Sequence, residues 1–202
     1  YRIPRIDCNV ACPASLEEAF ARTVRETVAC NNWPADFPYA PQVGFRIFHT
    51  GADLLLRFDF SCSVQRKLFS HLSHRIHPQE GYTSIRPVSL QINRTNAATS
   101  KQGNCIGTLL VGHRRDRTQA EHAPAEVLRT VRRRATYPHA PLPETEGDNR
   151  WTLTLAIPAA ALFRDRLARW DGVRGAMNLY KCGDDLSCPH YLSWRPVGTP
   201  AP

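Results

Sequence analysis

The segment of residues 176–194, which reads AMNLYKCGDDLSCPHYLSW, holds the densest group of side chains that could do chemistry. Its polar and aromatic members include Lys181, Asp184, Asp185, His190, Tyr191 and Trp194. The glycine and the two aspartates at 183–185 form a turn signal between two strand-like runs, so the pattern predicts a β-hairpin. A polar tip between two strands that carry aromatic rings suits a ligand that is both polar and ring-shaped.

Two kinds of metal site are conceivable in this hairpin. Asp184 and Asp185 could join backbone carbonyls around Ca²⁺, a hard cation that prefers oxygen ligands. Gly-Asp-Asp is also ordinary turn chemistry, and a solvated turn is the favoured interpretation. Cys182, Cys188 and His190 suggest zinc, but their spacing matches no known finger and the sequence offers no fourth ligand nearby.

The sequence contains no catalytic constellation. It lacks a nucleophile elbow, a phosphate-binding loop and an HExxH zinc motif. The close acidic pairs, Glu17-Glu18 and Asp184-Asp185, fall on a predicted helix surface and on a turn, whereas glycoside hydrolysis needs two positioned carboxylates. A binding protein is therefore favoured over an enzyme.

The net charge of +8 raises the alternative of a nucleic-acid-binding protein. The charge is unevenly placed, because residues 63–102 hold six Lys and Arg against one acid, Glu80. The same segment shows none of the periodicity that is typical of a helix or a strand. The nucleic-acid alternative therefore stays open as the less favoured one.

Seven cysteines in 202 residues are an odd number and too few for a disulfide scaffold. Free buried thiols in a reducing compartment are favoured, and with them a cytoplasmic location.

The sequence has no run of about 18 apolar residues, so no membrane partner is expected. The first residues, YRIPRID, lack the apolar stretch of a signal peptide. A leader removed earlier stays open because the chain does not begin with Met, and the length fits one domain over 1–202.

Alternation of apolar and polar residues predicts the strands. The clearest strand pair runs from Val43 to Phe60, on either side of a turn at residues 50–53. Residues 106–111 predict a strand that is apolar on both faces and hence buried. Residues 151–157 alternate cleanly and predict another strand, in which Trp151 takes a core position.

Three short helices are predicted between the strands. Ser15 and Glu18 form a capping box, and the apolar spacing through Val28 predicts a helix that ends near residue 29. Pro124 opens a second helix with the arginines at 132–134 in its last turn. Pro158 begins a third helix. Strands with short peripheral helices predict a mainly β protein, an antiparallel β-sandwich.

Four stretches resemble the carbohydrate-binding family 9-like domains, small sandwich proteins of bacteria. In chain order they are NWPADFPYAPQVGFRIFHTGADLLLRFDF (32–60), NCIGTLLVG (104–112), RWTLTLAIP (150–158) and NLYKCGDDLSCPHYLSW (178–194). The resemblance implies a jelly-roll-like β-sandwich that binds sugars, a role alongside glycoside hydrolases in polysaccharide catabolism, and calcium as a structural ion in some relatives.

Two departures from the family pattern stand out. Residues 63–102 show none of the strands with which the family continues after Phe60, which leads to the hypothesis of a frame-shifted or disordered stretch. The family also continues past the last Trp-x-Pro with an aromatic-rich closing strand, whereas this sequence ends in GTPAP (198–202). A missing closing strand, with exposed sheet edges, is therefore expected.

Aromatic rings bind sugars because the axial C–H groups of a pyranose stack on the ring while polar neighbours fix the hydroxyls. Trp194, Tyr191 and Trp33 are the candidate stacking residues, and Lys181 is a candidate hydrogen-bonding residue. The alternative is that these rings pack in the core or against loops, as large aromatics often do. The expected function is non-catalytic carbohydrate binding. A basic nucleic-acid-binding protein is the alternative, and a glycan-processing enzyme is less favoured than either.

Overall fold

The structure, a computed structural model of the chain, describes residues 1–65, 75–77, 88–92, 106–111, 121–136, 145–163, 165–183 and 186–201. The helices in these ranges are α1 (Pro13–Ala21) and α2 (Ala125–Thr130), and a 3-10 turn covers Ala159–Ala161. The strands in chain order are β1 (Glu26–Thr27), β2 (Cys30–Asn31), β3 (Gln42–His49), β4 (Asp53–Gln65), β5 (Arg75–His77), β6 (Val88–Ile92), β7 (Ile106–Val111), β8 (Glu121–His122), β9 (Arg132–Ala135), β10 (Thr145–Pro158), β11 (Ala176–Asn178), β12 (Tyr180–Cys182) and β13 (Tyr191–Ser193).

Backbone hydrogen bonds join the strands into three antiparallel sheets. The strand orders are β1-β3-β4-β10-β9 in the first sheet, β11-β5-β6-β7-β8 in the second and β12-β13-β2 in the third. Antiparallel sheets with two short helices are the make-up of a β-sandwich, so the predicted fold class is confirmed. Neither of these helices is long and apolar enough to cross a membrane.

The core lies on the inner face of the first sheet. In β4 and β10 the register sets Phe58 against Leu153 and Leu56 against Leu155, and all four side chains are buried. Because side chains alternate along a strand, this register turns every second residue of both strands inward. Trp151 also faces inward, where it stacks on Phe60 with ring centroids 3.9 Å apart. The predictions of the 43–60 strand pair, of the 151–157 strand and of Trp151 in the core are confirmed.

Helix α1 covers part of the opposite face of the same sheet. Phe20 packs edge-on against Phe48 at 4.9 Å, and Leu55 and Ala156 belong to the same second apolar cluster. The sheet therefore buries apolar side chains on both faces near the turn between β3 and β4. This is the reason why β3 and β4 lose their strict alternation there.

The first predicted helix is shorter than the sequence suggests. Helix α1 ends at Ala21, and the Ser15 hydroxyl accepts a hydrogen bond from the Asn9 N–H instead of capping the helix. Val28 instead follows strand β1, where its N–H donates to the carbonyl of Val43. Pairing with β3 overrides the helical pattern of the sequence here, because it buries the Val28 side chain in the core and gives its backbone N–H a hydrogen-bond partner.

The other two helix predictions also need correction. Helix α2 begins after Pro124 as expected but ends at Thr130, and Arg132–Ala135 form strand β9 along β10. The helix expected from Pro158 is a single 3-10 turn, Ala159–Ala161. In both places the backbone near β10 is extended or tightly turned where a helix was predicted. Its hydrogen bonds go to the sheet.

The segment 63–102 contributes backbone to two sheets. Strand β4 runs on to Gln65, and β6 pairs with β7 from Val88 opposite Val111 to Ile92 opposite Ile106. The strand predicted at 106–111 is thereby confirmed as β7. Strand β5 in the same segment pairs with β11 from His77 opposite Ala176 to Arg75 opposite Asn178. Apart from Arg75–His77 and Val88–Ile92, residues 66–102 lie outside the described residues, and the frame-shift hypothesis remains a prediction about the gene.

A substitution of Phe58 tests the inner face as the main source of stability. Phe58 is fully buried between the rings of Phe45 and Phe60, whose centroids lie 6.1 and 6.0 Å away. We expect Phe58→Ala to lower the free energy of unfolding by about 3–5 kcal/mol, as cavities of this kind do. The measurement is urea denaturation followed by tryptophan fluorescence. The control is Val24→Ala at a position 67% exposed, expected within about 0.5 kcal/mol of the parent. Equal losses in the two variants would contradict this picture of the core.

Candidate functional site

The third sheet carries the closing hairpin that the sequence predicts. Strands β12 and β13 pair from Tyr180 opposite Ser193 to Cys182 opposite Tyr191, and the Gly183 N–H donates to the carbonyl of His190 at 2.9 Å. Strand β2 then pairs along the other edge of β13. The hairpin is therefore confirmed, and β2 joins it to the loop that carries Trp33.

Tyr191 of β13 meets two rings of that loop. Its ring centroid lies 4.7 Å from Phe37 and 6.2 Å from Trp33, both edge-on. All three side chains are half-buried, so each ring has one part packed and another part facing solvent. We call Trp33, Phe37 and Tyr191 together the aromatic surface. The structure thus brings together two of the predicted stacking residues, Trp33 and Tyr191.

Hydrogen bonds from side chains and backbone hold the loop that carries Trp33 and Phe37. The Asn31 side chain donates to the carbonyl of Phe37 at 2.8 Å and accepts from the Trp33 N–H at 3.3 Å. The Phe37 N–H donates to the carbonyl of Trp33 at 2.9 Å, and Trp33 Nε1 donates to the carbonyl of Thr199 at 3.0 Å. These bonds hold a proline-rich loop in one conformation, so the surface is preformed.

Asn32 ties the same loop to the end of the described chain. Its Nδ2 donates to Ser193 Oγ at 2.9 Å, and its Oδ1 accepts from the Val197 N–H at 2.9 Å. Residues 197–199 therefore lie against the loop. The side-chain amides of Asn31 and Asn32 are therefore both engaged in hydrogen bonds within the protein.

Trp194, the third predicted stacking residue, lies in the core. Its side chain is 8% exposed, and it packs edge-on against Phe45 at 5.2 Å and against Tyr1 at 5.7 Å. The guanidinium of Arg195 covers its ring at 4.4 Å. A ring enclosed in this way has no open face for a pyranose. We therefore assign Trp194 to packing beneath the third sheet, the alternative that the sequence left open.

Lys181, the predicted hydrogen-bonding residue, is also inside. Its side chain is 2% exposed, and its Nζ donates to the carbonyl of Cys182 at 2.7 Å. Nζ also lies 2.8 Å from Nε2 of His190, which is 1% exposed. Lys181 therefore supports the hairpin from below and does not reach a ligand on the surface.

The contacts of His190 define its protonation. Lysine carries no acceptor, so Nε2 accepts from Lys181, and Nδ1 carries the proton and donates to the carbonyl of Cys188 at 3.2 Å. Burial, followed by the charge of Lys181, lowers the pKa of His190 to about 3. The imidazole is therefore neutral over the physiological range, and its ring packs against Tyr39 at 5.3 Å.

Gly183 is required beside this pair. A Cβ added at residue 183 would lie 2.3 Å from Cε1 of His190, far inside van der Waals contact. The glycine of the predicted turn signal is thus required by packing, since its φ is not in the left-handed region.

The predicted metal sites receive no support from the described residues. Asp184 and Asp185 lie outside the described residues, so calcium bound there remains a prediction. For zinc, both ring nitrogens of His190 already have partners within the hairpin, which leaves no lone pair for a metal. Among the residues that the structure describes, no group of three metal-ligating side chains is close enough to hold an ion. The six described cysteines form no disulfide.

Phe37 and Tyr39 are the aromatic residues that the sequence prediction missed. Both lie in the segment DFPYAP, where the prolines exclude regular structure. Without a regular strand, alternation along the sequence cannot predict which way each side chain points. The signal that was present is composition, namely three aromatic rings within residues 33–39.

The sequence and the fold are both similar to those of known proteins. The sequence profile of carbohydrate-binding family 9 matches residues 12–202. A proposed carbohydrate-binding protein of Bacteroides uniformis ATCC 8492, known from a crystal structure, is similar in fold with a TM-score of 0.76 and 27% sequence identity. That similarity covers 99% of this chain and 91% of the Bacteroides chain. Among curated proteins, none matches this sequence.

The buried His190 predicts a loss of stability in acid. Its pKa is about 3 in the folded state and about 6.5 when unfolded, so the unfolded chain binds the extra proton between these values and stability falls with pH below about 6.5. From about pH 7 to about pH 4.5 the expected loss is roughly 2–3 kcal/mol in the free energy of unfolding.

The measurement is urea denaturation at the two pH values. In His190→Gln this part of the pH dependence should be absent, while His49→Gln, at a half-buried histidine whose pKa burial also lowers, should keep it. An unchanged pH dependence in His190→Gln would show that the histidine does not titrate as its burial requires.

Proposed function

The chain belongs to carbohydrate-binding family 9, and we propose that it binds saccharides on the aromatic surface formed by Trp33, Phe37 and Tyr191. The observation that carries the proposal is the contact of Tyr191 with both other rings, at 4.7 and 6.2 Å, on a loop held by hydrogen bonds. Carbohydrate binding is the function of the family, and the aromatic surface is compatible with it.

Stacking supplies the expected affinity. The C–H face of a pyranose is apolar, and a half-buried ring offers it a surface that needs no reorganisation. Edge-on packing holds Tyr191 against Phe37 and Trp33, so the rings are positioned before a ligand arrives. A rigid platform limits the conformational entropy that binding removes.

Hydrogen bonds to the sugar hydroxyls would come from the rim of the surface. Asp36 is exposed and directly precedes Phe37 in the loop, and its carboxylate accepts hydrogen bonds. Lys181 and His190 are buried beneath the surface, where their contact sets the position of the hairpin that carries Tyr191. We propose Asp36 as the rim residue in place of Lys181.

We propose further that this binding is non-catalytic. Hydrolysis of a glycosidic bond uses a pair of positioned carboxylates, one as acid and one as base or nucleophile. The loop of residues 32–41 carries a single carboxylate, Asp36. A binding module acting beside separate glycoside hydrolases in polysaccharide breakdown fits this composition.

Alanine at the aromatic surface should remove binding. We expect Trp33→Ala and Tyr191→Ala each to weaken the binding of an oligosaccharide by about 5-fold or more in Kd, since stacking on an aromatic side chain is worth about 1–3 kcal/mol. Tyr191→Phe keeps the ring and should stay within about 3-fold of the parent. The measurement is titration calorimetry on the best ligand from a glycan array. If Tyr191→Ala binds as tightly as Tyr191→Phe, the aromatic surface is not the site.

The salt dependence of binding separates the proposal from the nucleic-acid alternative. Stacking of a neutral sugar should change by less than about 2-fold between roughly 50 mM and 500 mM sodium chloride, whereas binding through phosphates falls by orders of magnitude. Fluorescence anisotropy with a labelled DNA oligonucleotide and a labelled neutral oligosaccharide measures both. Tight DNA binding with a steep salt slope and no sugar binding would favour the alternative.

A further inference from the structure

A cleft of about 1040 Å³ lies beside the turn between β3 and β4, away from the aromatic surface. Its lining comprises residues 1–5, His49, Leu54, residues 170–175 and Met177. We call it the N-terminal cleft. It shares no residue with the aromatic surface, and its volume is at the upper end of the range for small-ligand pockets.

The fold brings together three polar side chains of the lining, those of Arg5, His49 and Asp171. Arg5 and His49 are partners in a parallel bridge. The His49 N–H donates to the carbonyl of Pro4 at 3.0 Å, and the His49 carbonyl accepts from the Ile6 N–H at 2.9 Å. Residues paired across a bridge point to the same face, so the Arg5 and His49 side chains are neighbours. Arg5 Nη1 donates to Asp171 Oδ1 at 3.1 Å, which adds the third group.

His49 carries a hydrogen-bond donor that the protein does not use. Its Nδ1 is buried without a hydrogen-bond partner, and Nε2 has no partner within the described part of the chain. A buried N–H without an acceptor costs more than a bare lone pair, so the proton of the neutral ring lies on Nε2. Burial lowers the pKa of His49, which keeps the ring neutral at pH 7. The Nε2 N–H therefore requires an acceptor from outside the protein.

Arg5 and Asp171 keep hydrogen-bonding capacity after they pair with each other. Guanidinium has five N–H groups, and Arg5 directs one of them at Asp171 and two at Asp7. A carboxylate has about four lone-pair positions, and Asp171 receives one hydrogen bond from Arg5 and one from Arg169 at 2.8 Å. In the ranges that the structure describes, about two donor and two acceptor positions of the pair therefore remain for a ligand.

The charges around His49 are balanced. Arg5 and Arg169 form ion pairs with Asp7 and Asp171, so two cations meet two anions. The hydrogen bond from Arg169 lowers the pKa of Asp171, whose carboxylate stays ionised. An anionic ligand would meet this carboxylate, and a cationic ligand would meet the two guanidinium groups. The group therefore suits a neutral ligand that both donates and accepts hydrogen bonds.

Apolar side chains complete the lining. Leu54 and Trp170 belong to the core, and Met177 packs against it. The Trp170 N–H donates to the carbonyl of Gly51 at 2.7 Å, and its Nε1 donates to the carbonyl of Ile157 at 3.1 Å, so the indole is held in place. Apolar walls with a few convergent polar groups are typical of a small-ligand site. A pyranose has the matching surface, with hydroxyls at its edge and C–H groups on its faces.

We propose that the N-terminal cleft is a second saccharide site, which binds a neutral pyranose unit through Nε2 of His49 and the Arg5–Asp171 pair. Each hydroxyl of such a unit donates one hydrogen bond and accepts others, as these three side chains require. The inference goes beyond saccharide binding on the aromatic surface, because it concerns a separate site with none of the same residues.

Nuclear magnetic resonance of the full chain measures the two sites separately. The His49 ring and the Trp170 indole N–H report on the cleft, and the Trp33 indole N–H reports on the aromatic surface. The probes are the methyl glycosides of glucose, galactose and mannose. We expect at least one of them to shift the cleft signals at concentrations up to about 20 mM. Before any probe is added, the ¹⁵N shifts of the His49 ring should show the Nε2–H tautomer.

Substitutions at His49 test the donor. His49→Leu removes both ring nitrogens and should weaken binding of the best probe by about 5-fold or more, as the loss of one hydrogen bond does. His49→Gln keeps an N–H donor and should stay within about 3-fold of the parent.

A carboxylate pair of substitutions tests the acceptor. Asp171→Asn removes one acceptor oxygen and the ion pairs, and should weaken the same binding by about 5-fold or more. Asp148→Asn is the matched control, because it removes an exposed carboxylate of β10 outside the cleft, and it should have no effect.

The charge of the probe tests the class of ligand and needs no variant to fold. The uronic acid counterpart of the best probe should bind more weakly than the neutral glycoside, since the ionised Asp171 repels its carboxylate. Tighter binding of the uronic acid would assign the cleft to anions and overturn the proposal.

Three further results would overturn it. An Nδ1–H tautomer of His49 would remove the donor on which the site depends. Cleft signals unchanged by all three probes would show that no neutral pyranose binds there. Equal weakening in Asp171→Asn and Asp148→Asn would show a general effect of charge. Because Trp33 is observed in the same spectra, failure of the cleft is distinguishable from failure of the aromatic surface.

Discussion

The antiparallel pairing of β4 with β10 is the interaction on which the rest of the structure depends. The pair runs from Asp53 opposite Pro158 to Gln65 opposite Thr145, and its register decides which side chains of both strands enter the core. A slip of one residue would turn Phe58 and Leu155 to the opposite face. The same register sets the position of the turn after β3, to which both the 3-10 turn and Trp170 are hydrogen-bonded. The core and the peripheral turns therefore follow from one strand pair.

The third sheet is joined to this core by Leu192 and Trp194. Trp194 at the end of β13 packs on Phe45 of β3, so the ring predicted to bind a ligand instead joins the hairpin to the first sheet. This arrangement leaves Tyr191, whose side chain points to the opposite face of β13, to meet Phe37 and Trp33 outside. The burial of Trp194 and the exposure of Tyr191 are two results of the same alternation.

Much of the fold could be predicted from the sequence, because the period of two in 43–60 and 151–157 depends only on local alternation. The candidate site was predicted in part. Tyr191 was predicted as an aromatic of the closing hairpin and Trp33 as one of the loop before the first strand pair. The burial of Lys181, by contrast, depends on its pairing opposite Leu192 and on the ring of His190, which lies beyond the turn. The early end of α1 likewise depends on Val43, a strand partner distant in sequence from Val28. Contacts of this kind leave no periodic signal in the sequence.

The central claim is that a saccharide lies on the aromatic surface, and a crystal structure of the chain with its best oligosaccharide ligand tests it most directly. The account predicts a pyranose ring whose C–H face lies about 4 Å from the ring of Tyr191 or Trp33, with hydroxyls near Asp36. It also predicts that Trp194 and the Lys181–His190 pair remain buried and unchanged. A ligand bound elsewhere, with Trp33, Phe37 and Tyr191 untouched, would contradict the account.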